Sequence, residues 1–221
     1  MALRYKAIKG KFKLNSGTRV AGGEAEIGIG VVEENLRVLR DPLTHNPYIP
    51  GSSLKGKVRH LLEMDMGRVN LDRDRDDDRG EPCMCGECPI CKVFGAHKNT
   101  RHRLGPSRLI VRDAFLTAES AAELDRFNKE TGLDSVEVKT ENTIDRLTGT
   151  AKHPRTGERT LRGLEFDLVL SVRIMKDDDA DEIMGLVRKG FKEFLPKDTI
   201  GGSGTRGYGW IDITEWNETD C

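Results

Sequence analysis

The run Phe166-Asp-Leu-Val-Leu-Ser-Val-Arg-Ile174 places an apolar side chain at every second position. Side chains of a β-strand point alternately to its two faces, so this pattern predicts a strand with one buried face. From about Ala180 the period changes, and a helix is predicted by the spacing of Ile183, Leu186, Val187 and Phe191. Residues 209–216 then predict a closing strand, so this half of the chain has the order strand, helix, strand.

The N-terminal half predicts a similar order. In residues 4–14, apolar side chains at Ile8, Phe12 and Leu14 alternate with lysines, as in a half-buried strand. A helix follows from Ser53, with one apolar face formed by Leu54, Val58, Leu61 and Leu62. Residues 107–117 predict a strand, and residues 120–129 a short helix that begins near Ala118-Glu119. Two β-α-β halves predict one α+β domain over residues 1–221, with a ferredoxin-like (RRM-like) palm.

The composition limits the classes of partner. The 36 basic and 37 acidic residues leave a net charge of −1, so any RNA-binding surface must come from segregated charge. No apolar run approaches the roughly 20 residues that a spanning helix needs, and the N-terminus lacks the apolar core of a signal peptide. We therefore expect a soluble, cytoplasmic protein with no membrane partner.

A glycine-rich segment precedes the closing strand. Gly201-Gly-Ser-Gly-Thr-Arg-Gly-Tyr-Gly209 encloses one arginine and one tyrosine among its glycines. Glycines let backbone N–H groups approach a large anion closely, Arg206 adds a forked cation and Tyr208 a stacking face. RNA is the ligand that this combination suggests, and a tight loop that leads into a strand is the alternative.

A second anion site is suggested at the start of the first helix. In Ile49-Pro-Gly-Ser-Ser-Leu-Lys-Gly-Lys57, the Pro-Gly pair turns the chain and Ser52 or Ser53 can cap the helix. Free N–H groups, hydroxyls and the cations of Lys55 and Arg59 would suit a phosphate. Gly56 costs helix stability, which suggests that a ligand lies close to the backbone there. An ordinary capped helix with solvated lysines is the alternative.

Together with Gly22-Gly23 and Lys139-Thr-Glu-Asn-Thr-Ile-Asp-Arg146, these motifs resemble, in the same order, the backbone subunit of type III-A (Csm) CRISPR effector complexes, in the RAMP superfamily. The resemblance implies a protein that polymerises with copies of itself along a CRISPR guide RNA, beside other type III effector subunits, and often cuts the paired target RNA. It implies RNA contacts at Arg19, Gly22, Gly23, Ser52, Ser53, Lys55, Gly56, Arg59, Asn142, Arg146, Gly202, Ser203, Gly204, Arg206 and Tyr208.

An insertion at about residues 68–106 carries a compact group of cysteines, namely Cys83, Cys85, Cys88 and Cys91. Cys83 and Cys85 are too close to form a disulfide readily, and an intracellular chain stays reduced. Tetrahedral thiolate coordination accepts such short loops, so we predict a structural zinc ion in this lid. The fourth ligand stays open between Cys83 and a histidine: His60, His97 or His102.

A second insertion, residues 137–163, predicts an extended hairpin. In the family that the chain resembles, this region is a thumb that pushes through the guide–target duplex. Asn142, Arg146 and Arg162 are then phosphate contacts. The apolar side chains of Ile144, Leu147 and Leu161 are either wedges between bases or core residues.

The resemblance also implies a catalytic residue, because the family has an aspartate in a flexible loop beside the target RNA. Alignment of Ile29-Gly30 places Glu33 at that position, with Glu34 as the alternative. A glutamate there could hold hydrated Mg²⁺ or Mn²⁺ and support cleavage. Two alternatives remain: a scaffold that does not cut, and a guide-processing endoribonuclease that would use His45 or Tyr48. A solvated acidic loop is the simplest interpretation of paired glutamates.

Overall fold

The structure is a computed structural model that describes residues 3–20, 37–69 and 80–220. In chain order the elements are β1 (Arg4–Leu14), α1 (Gly51–Asp65), α2 (Pro89–Phe94), β2 (Leu109–Val111), α3 (Ala118–Thr131), β3 (Val136–Ile144), β4 (Ala151–Thr160), β5 (Glu165–Ile174), α4 (Ala180–Arg188) and β6 (Ile211–Asp220). A π-helical turn, Lys189–Phe194, continues α4, and a 3₁₀ turn, Leu195–Lys197, follows it.

Four strands form an antiparallel sheet in the order β2-β5-β1-β6, and β3 pairs with β4 in a separate hairpin. The two central strands are in a register that places Ile8 opposite Leu170 and Phe12 opposite Phe166. The rings of Phe12 and Phe166 stack with their centroids 5.4 Å apart. All the alternating apolar side chains of β5 are buried, which confirms the strand that their spacing predicts.

Both helices predicted from their apolar stripes contribute to one core. α1 buries Leu54, Val58 and Leu62, and α4 with its π-helical extension buries Val187 and Phe191 in the same cluster. The fold is therefore mixed α/β with antiparallel sheets, as the α+β prediction requires. Within the described ranges, no helix is long and apolar enough to cross a lipid bilayer.

Two local predictions are wrong in detail. The first is the serine cap of α1: the helix begins at Gly51, Pro50 is its N-cap residue, and no side chain caps it from that position. Instead the Gly51 N–H donates to Asp113 Oδ1 at 2.8 Å. A carboxylate from elsewhere in the chain therefore already lies at this helix N-terminus, where a phosphate was expected.

The second correction is the strand predicted over residues 107–117, which is only three residues long. Beyond β2 the chain turns away from a regular ladder, since Ala114 pairs with Ile49 just before α1 and Leu116 pairs singly with Phe166. Alternation of apolar residues persists through these isolated pairs, which is why the sequence predicts a longer strand.

The closing strand is likewise displaced from the predicted residues 209–216, beginning at Ile211 and ending at Asp220.

The π-helical turn allows a stability test with a matched control. A Cβ at Gly190 would overlap Val58 Cγ1 and lie 3.1 Å from Leu62 Cδ1, whereas one at Gly185 would meet open space. We expect Gly190→Ala to destabilise the protein by about 1–3 kcal/mol through overpacking. Gly185→Ala, on the exposed face of α4, should instead stabilise it by up to about 1 kcal/mol. Urea unfolding of both variants measures this, and shifts of the same sign would contradict the packing described.

Candidate nucleic-acid interface and metal centre

The glycine-rich loop is closed at its base against the segment that follows β1. Gly202 N–H donates to the Arg19 carbonyl at 2.9 Å, and Gly209 N–H donates to the Gly17 carbonyl at 3.1 Å. Gly201 has a φ of 79°, and a Cβ there would overlap the Arg19 carbonyl oxygen. Glycine is therefore required at this position by both conformation and space. The loop is held in place by backbone contacts before any ligand is present.

At the tip of the loop, two of the predicted RNA-binding residues meet. Ser203 has a φ of 61°, in the left-handed region, and its hydroxyl accepts a hydrogen bond from Arg19 Nη2 at 3.3 Å. A short 3₁₀ turn, Gly204–Arg206, follows. Residues 184 positions apart in sequence are thus in contact, because the segment that follows β1 lies beside the loop.

Arg206 joins the loop to the β3–β4 hairpin. Its Nη1 donates to Glu141 Oε2 at 2.8 Å, and the Arg206 side chain is 67% exposed. Burial opposes ionisation of Glu141, yet hydrogen bonds from Arg206 and Tyr208 hold the pKa of this carboxyl below its usual range. Glu141 is therefore a carboxylate that an approaching phosphate would compete with for the same guanidinium.

Tyr208 is not the stacking face that the sequence predicts. The residue is only 2% exposed, with Lys139 Nζ 4.7 Å and Arg159 Cζ 5.0 Å from the centre of its ring. Burial raises the pKa of Tyr208, and the nearby Glu141 carboxylate raises it further. The ring instead anchors the loop to the cations of the hairpin.

The cations predicted on α1 have internal partners. Lys55 Nζ donates to the Leu109 carbonyl at 2.9 Å, and burial lowers the pKa of this amine. Arg59 donates through Nη2 to the Cys83 carbonyl at 2.8 Å. By contrast, Ser52 and Gly56 are exposed, and a Cβ at Gly56 would meet open space. Of the residues predicted on α1, these two leave the backbone accessible to a ligand, while Lys55 and Arg59 hold other elements.

The hairpin carries Asn142 and Arg146 at its exposed far end. Asn142 lies where the β3–β4 register shifts, and Arg146 Nη1 donates to the Ile144 carbonyl at 2.7 Å. Leu147, at the turn, is 97% exposed, and Ile144 is also exposed. Neither apolar side chain belongs to the core, so the core alternative is wrong for these two residues, whereas Leu161 is partly buried and packs against the core.

Several predicted residues lie outside the described ranges, namely Gly22, Gly23, Glu33 and Glu34. The alternative nuclease residues lie in an ordered segment before α1. His45 has a φ of 58° in a tight turn, and the Tyr48 ring stacks on Phe115 with centroids 5.5 Å apart.

The four clustered cysteines form a compact group of sulfur atoms. All four Sγ atoms lie within 4.8 Å of one another, with Cys83 and Cys88 3.9 Å apart and Cys85 and Cys91 3.8 Å apart. Burial works against ionisation of Cys85, but the backbone N–H groups of Glu87 and Cys88 lower its pKa to about 6. This arrangement can bind a metal ion.

The candidate histidine ligands have other surroundings. His97 Nε2 lies 2.7 Å from Glu81 Oε2, and His102 Nδ1 accepts the Leu104 N–H at 3.2 Å. His60 is exposed on α1. Among the residues that the structure describes, the cysteines alone form a group with metal-binding spacing, so Cys83 is the fourth candidate ligand.

A buried ion pair fixes the cysteine loop to α1. Glu63 is only 4% exposed, and its Oε1 accepts hydrogen bonds from Arg59 Nε at 2.8 Å and from Cys83 N–H at 2.9 Å. Removal of one partner from such a pair costs about 3–5 kcal/mol. Sequence reasoning missed Glu63, although its spacing of four residues from Arg59 is the signal of a helical ion pair.

Comparison with known proteins identifies several relatives. The RAMP superfamily profile matches residues 11–212. A protein named CRISPR system Cms endoribonuclease Csm3 from Methanothermobacter thermautotrophicus is 37% identical over 217 residues, covering 93% of this chain and 82% of the relative. Its namesake from Streptococcus thermophilus is 37% identical over 212 residues, covering 95% and 87%. A chain in the crystal structure of a Csm3–Csm4 subcomplex of the type III-A CRISPR-Cas interference complex has a TM-score of 0.61 and 28% identity, covering 100% of this chain and 81% of that one.

Proposed function

The chain belongs to the RAMP superfamily, and from this membership we propose that it is a backbone subunit of a type III-A CRISPR effector complex. In this role it binds the guide RNA, polymerises along it with copies of itself and other effector subunits, and positions complementary target RNA. The observation that carries the proposal is the glycine loop, which is closed against residues 17–19, carries the exposed Arg206, and is bonded at Ser203 to Arg19.

The chemistry of this surface suits a phosphate backbone. Arg19 and Arg206 supply forked guanidinium donors, and the exposed Gly201, Gly202 and Gly207 leave part of the loop backbone accessible. Such contacts are independent of base identity, as a subunit that accepts any guide sequence requires. Ser52 and Gly56 on α1 and Asn142 and Arg146 on the hairpin extend the proposed contact surface.

The sheet order supports a ferredoxin-like palm. The crossover β1-α1-β2 joins two strands that have β5 between them in the sheet. The crossover β5-α4-β6 joins two strands that have β1 between them. This is the arrangement of a split β-α-β fold. Residues 137–163 are then the thumb of a single domain, with the exposed Leu147 and Ile144 as wedges, and residues 68–106 its lid.

Zinc is the metal that the cysteine group fits best. A tetrahedral ion with Zn–S bonds of about 2.3 Å separates its sulfur ligands by about 3.8 Å. The Cys83–Cys88 and Cys85–Cys91 separations of 3.9 and 3.8 Å are close to that value. Four thiolates fill the coordination shell, so the ion would be structural and would hold the lid against α1 through Glu63.

Cleavage of target RNA is proposed for the Glu33 loop, with Mg²⁺ or Mn²⁺ bound when the reaction occurs. A carboxylate can orient the attacking 2′-hydroxyl or hold a hydrated cation, and Glu34 is the alternative residue. Glutamate is one methylene longer than the aspartate of the family, which can displace the carboxylate by about 1 Å and slow the reaction. The site of action is the cytoplasm.

The phosphate contact can be tested with Arg206→Ala. We expect weaker binding to unrelated single-stranded RNAs alike, and a log Kd against log salt slope that is shallower by about 0.7, because one phosphate contact is lost. Arg188→Ala is the control, since this arginine also pairs with a glutamate, Glu218, at 2.6 Å. An unchanged slope in Arg206→Ala, measured by fluorescence anisotropy, would place the phosphate contact elsewhere.

The metal centre can be tested by elemental analysis of the purified protein. We expect about one zinc per chain, and loss of that zinc in Cys88→Ser, because a buried thiolate ligand is removed. Cys221→Ser changes the one cysteine outside the cluster and should retain the metal. A zinc content below about half an equivalent, or titration of all thiols without denaturant, would exclude the site.

The nuclease role can be tested with the protein assembled on guide RNA. Complementary RNA should be cut at regular intervals only when a divalent cation is present, and Glu33→Ala should abolish cutting while binding is retained. Glu33→Asp should cut faster if carboxylate position limits the rate.

Three other outcomes separate the alternatives. Normal cutting by Glu33→Ala would indicate Glu34, and tight binding with no cutting by any form would support the scaffold. Metal-independent cutting of precursor guide RNA would support the processing nuclease and its candidates His45 and Tyr48.

A further inference from the structure

An exposed aromatic side chain lies directly after the glycine loop, two positions beyond the buried Tyr208. Aromatic residues make up only 5% of this chain, and Trp210 is one of the few that are exposed, with 53% of its surface accessible to solvent. A large apolar ring in water has an unfavourable hydration free energy, and its exposure at the rim of an anion-binding loop suggests a ligand that covers it.

The backbone of Trp210 is rigidly held. Its N–H donates to Ser16 Oγ at 3.0 Å, and its carbonyl accepts the N–H groups of Asn15 at 2.9 Å and Ser16 at 3.3 Å. The preceding Gly209 carbonyl accepts the Ile200 N–H at 2.9 Å. The indole is thus presented from a fixed position, so little backbone entropy is lost when a flat ligand binds it.

The charge around the indole separates the phosphates from the bases. Ile211 is fully buried, so the alternation of β6 puts Trp210 and Asp212 on the face opposite the core. The Asp212 carboxylate accepts a hydrogen bond from Asn15 Nδ2 at 2.8 Å and repels a phosphate. Arg206, four residues earlier in the loop, and Arg19, which contacts the loop at Ser203, attract phosphates. An RNA strand held by these arginines therefore presents a base, rather than its backbone, to the indole.

Other exposed aromatic side chains are less suited to this role. Phe115 is 49% exposed, but one face of its ring is covered by the stacked ring of Tyr48. Trp216 is half-buried, and its Nε1 donates to Glu218 at 2.8 Å. Phe115 is consequently a matched control: an exposed aromatic residue of similar accessibility that lies in the segment before α3, where its ring contacts Tyr48.

We propose that Trp210 is a base-stacking platform, on which an unpaired nucleobase of the bound RNA lies while its phosphates bind Arg206 and Arg19. This inference rests on the proposed RNA-binding function and adds a contact to the base that the glycine loop cannot provide. Stacking on an indole is tolerant of sequence, because every base has a π-face. The contact therefore adds affinity without restricting the guide sequences that the protein accepts.

The test compares two probes that have the same phosphates. An unstructured oligoadenylate carries bases, and an abasic ribose-phosphate oligomer of equal length does not. Trp210→Ala should weaken oligoadenylate binding about 5- to 150-fold, the effect of one lost base stack. It should leave abasic binding and the salt slope unchanged, because the phosphate contacts remain. Trp210→Phe should recover part of the loss, and Phe115→Ala should bind both probes as the unaltered protein does.

A second measurement reports the stack directly. In Trp216→Phe protein, Trp210 is the one remaining tryptophan. Its fluorescence should be quenched when oligoadenylate binds and should change little with the abasic oligomer. Equal oligoadenylate affinity in Trp210→Ala and the unaltered protein, with no quenching, would overturn the inference. Failure of the unaltered protein to bind either probe would instead refute the proposed function on which it rests.

Discussion

Thr18 joins the three segments that carry the candidate RNA surface. It is fully buried, and its hydroxyl donates to the Ile200 carbonyl at 2.6 Å, at the base of the glycine loop. Its backbone N–H donates to Thr160 Oγ1 at 2.9 Å, and its carbonyl accepts the Thr160 N–H at 2.8 Å, at the base of the hairpin. Loss of the hydroxyl would leave a buried carbonyl without this donor, at a cost of about 1–3 kcal/mol. The loop and the hairpin therefore depend on one residue in the segment that follows β1.

Close backbone approach imposes a second constraint on the same junction. A Cβ at Gly17 would overlap the Thr160 carbonyl oxygen, and one at Gly209 would overlap the Ile200 carbonyl oxygen. Gly209 also has a φ of 70°. Part of the glycine content that suggests an anion-binding loop therefore serves to close the loop at its base. The two explanations are compatible, because a loop fixed by its own backbone presents its remaining N–H groups and Arg206 in a constant geometry.

The sequence predicts those features that depend on local periodicity. Alternation in residues 166–174 and the apolar stripe of α1 specify a strand and a helix because the relevant side chains are neighbours along the chain. Partners that come from distant segments leave no such signal. Tyr208 looks like an exposed ring until the hairpin cations cover it, and Asp113 lies 62 residues from the helix N-terminus that it caps. The cysteine group is the exception, since its short spacing constrains the sulfur positions directly.

The charges of α1 show why a nearly neutral chain can have a local RNA surface. Lys57 pairs with Asp198 at 2.9 Å, just before the glycine loop, while Lys55 binds the β2 backbone and Arg59 the cysteine loop. Lysine and arginine side chains that the sequence suggests are available for RNA thus bind three other parts of the chain to α1. In the proposed RNA surface, the phosphate-binding charge then comes from Arg206 and Arg19, whose positions those elements help to fix. A change at Lys57 or Arg59 would accordingly act on RNA binding through the position of the loop and lid, and a change at Arg206 through the phosphate itself.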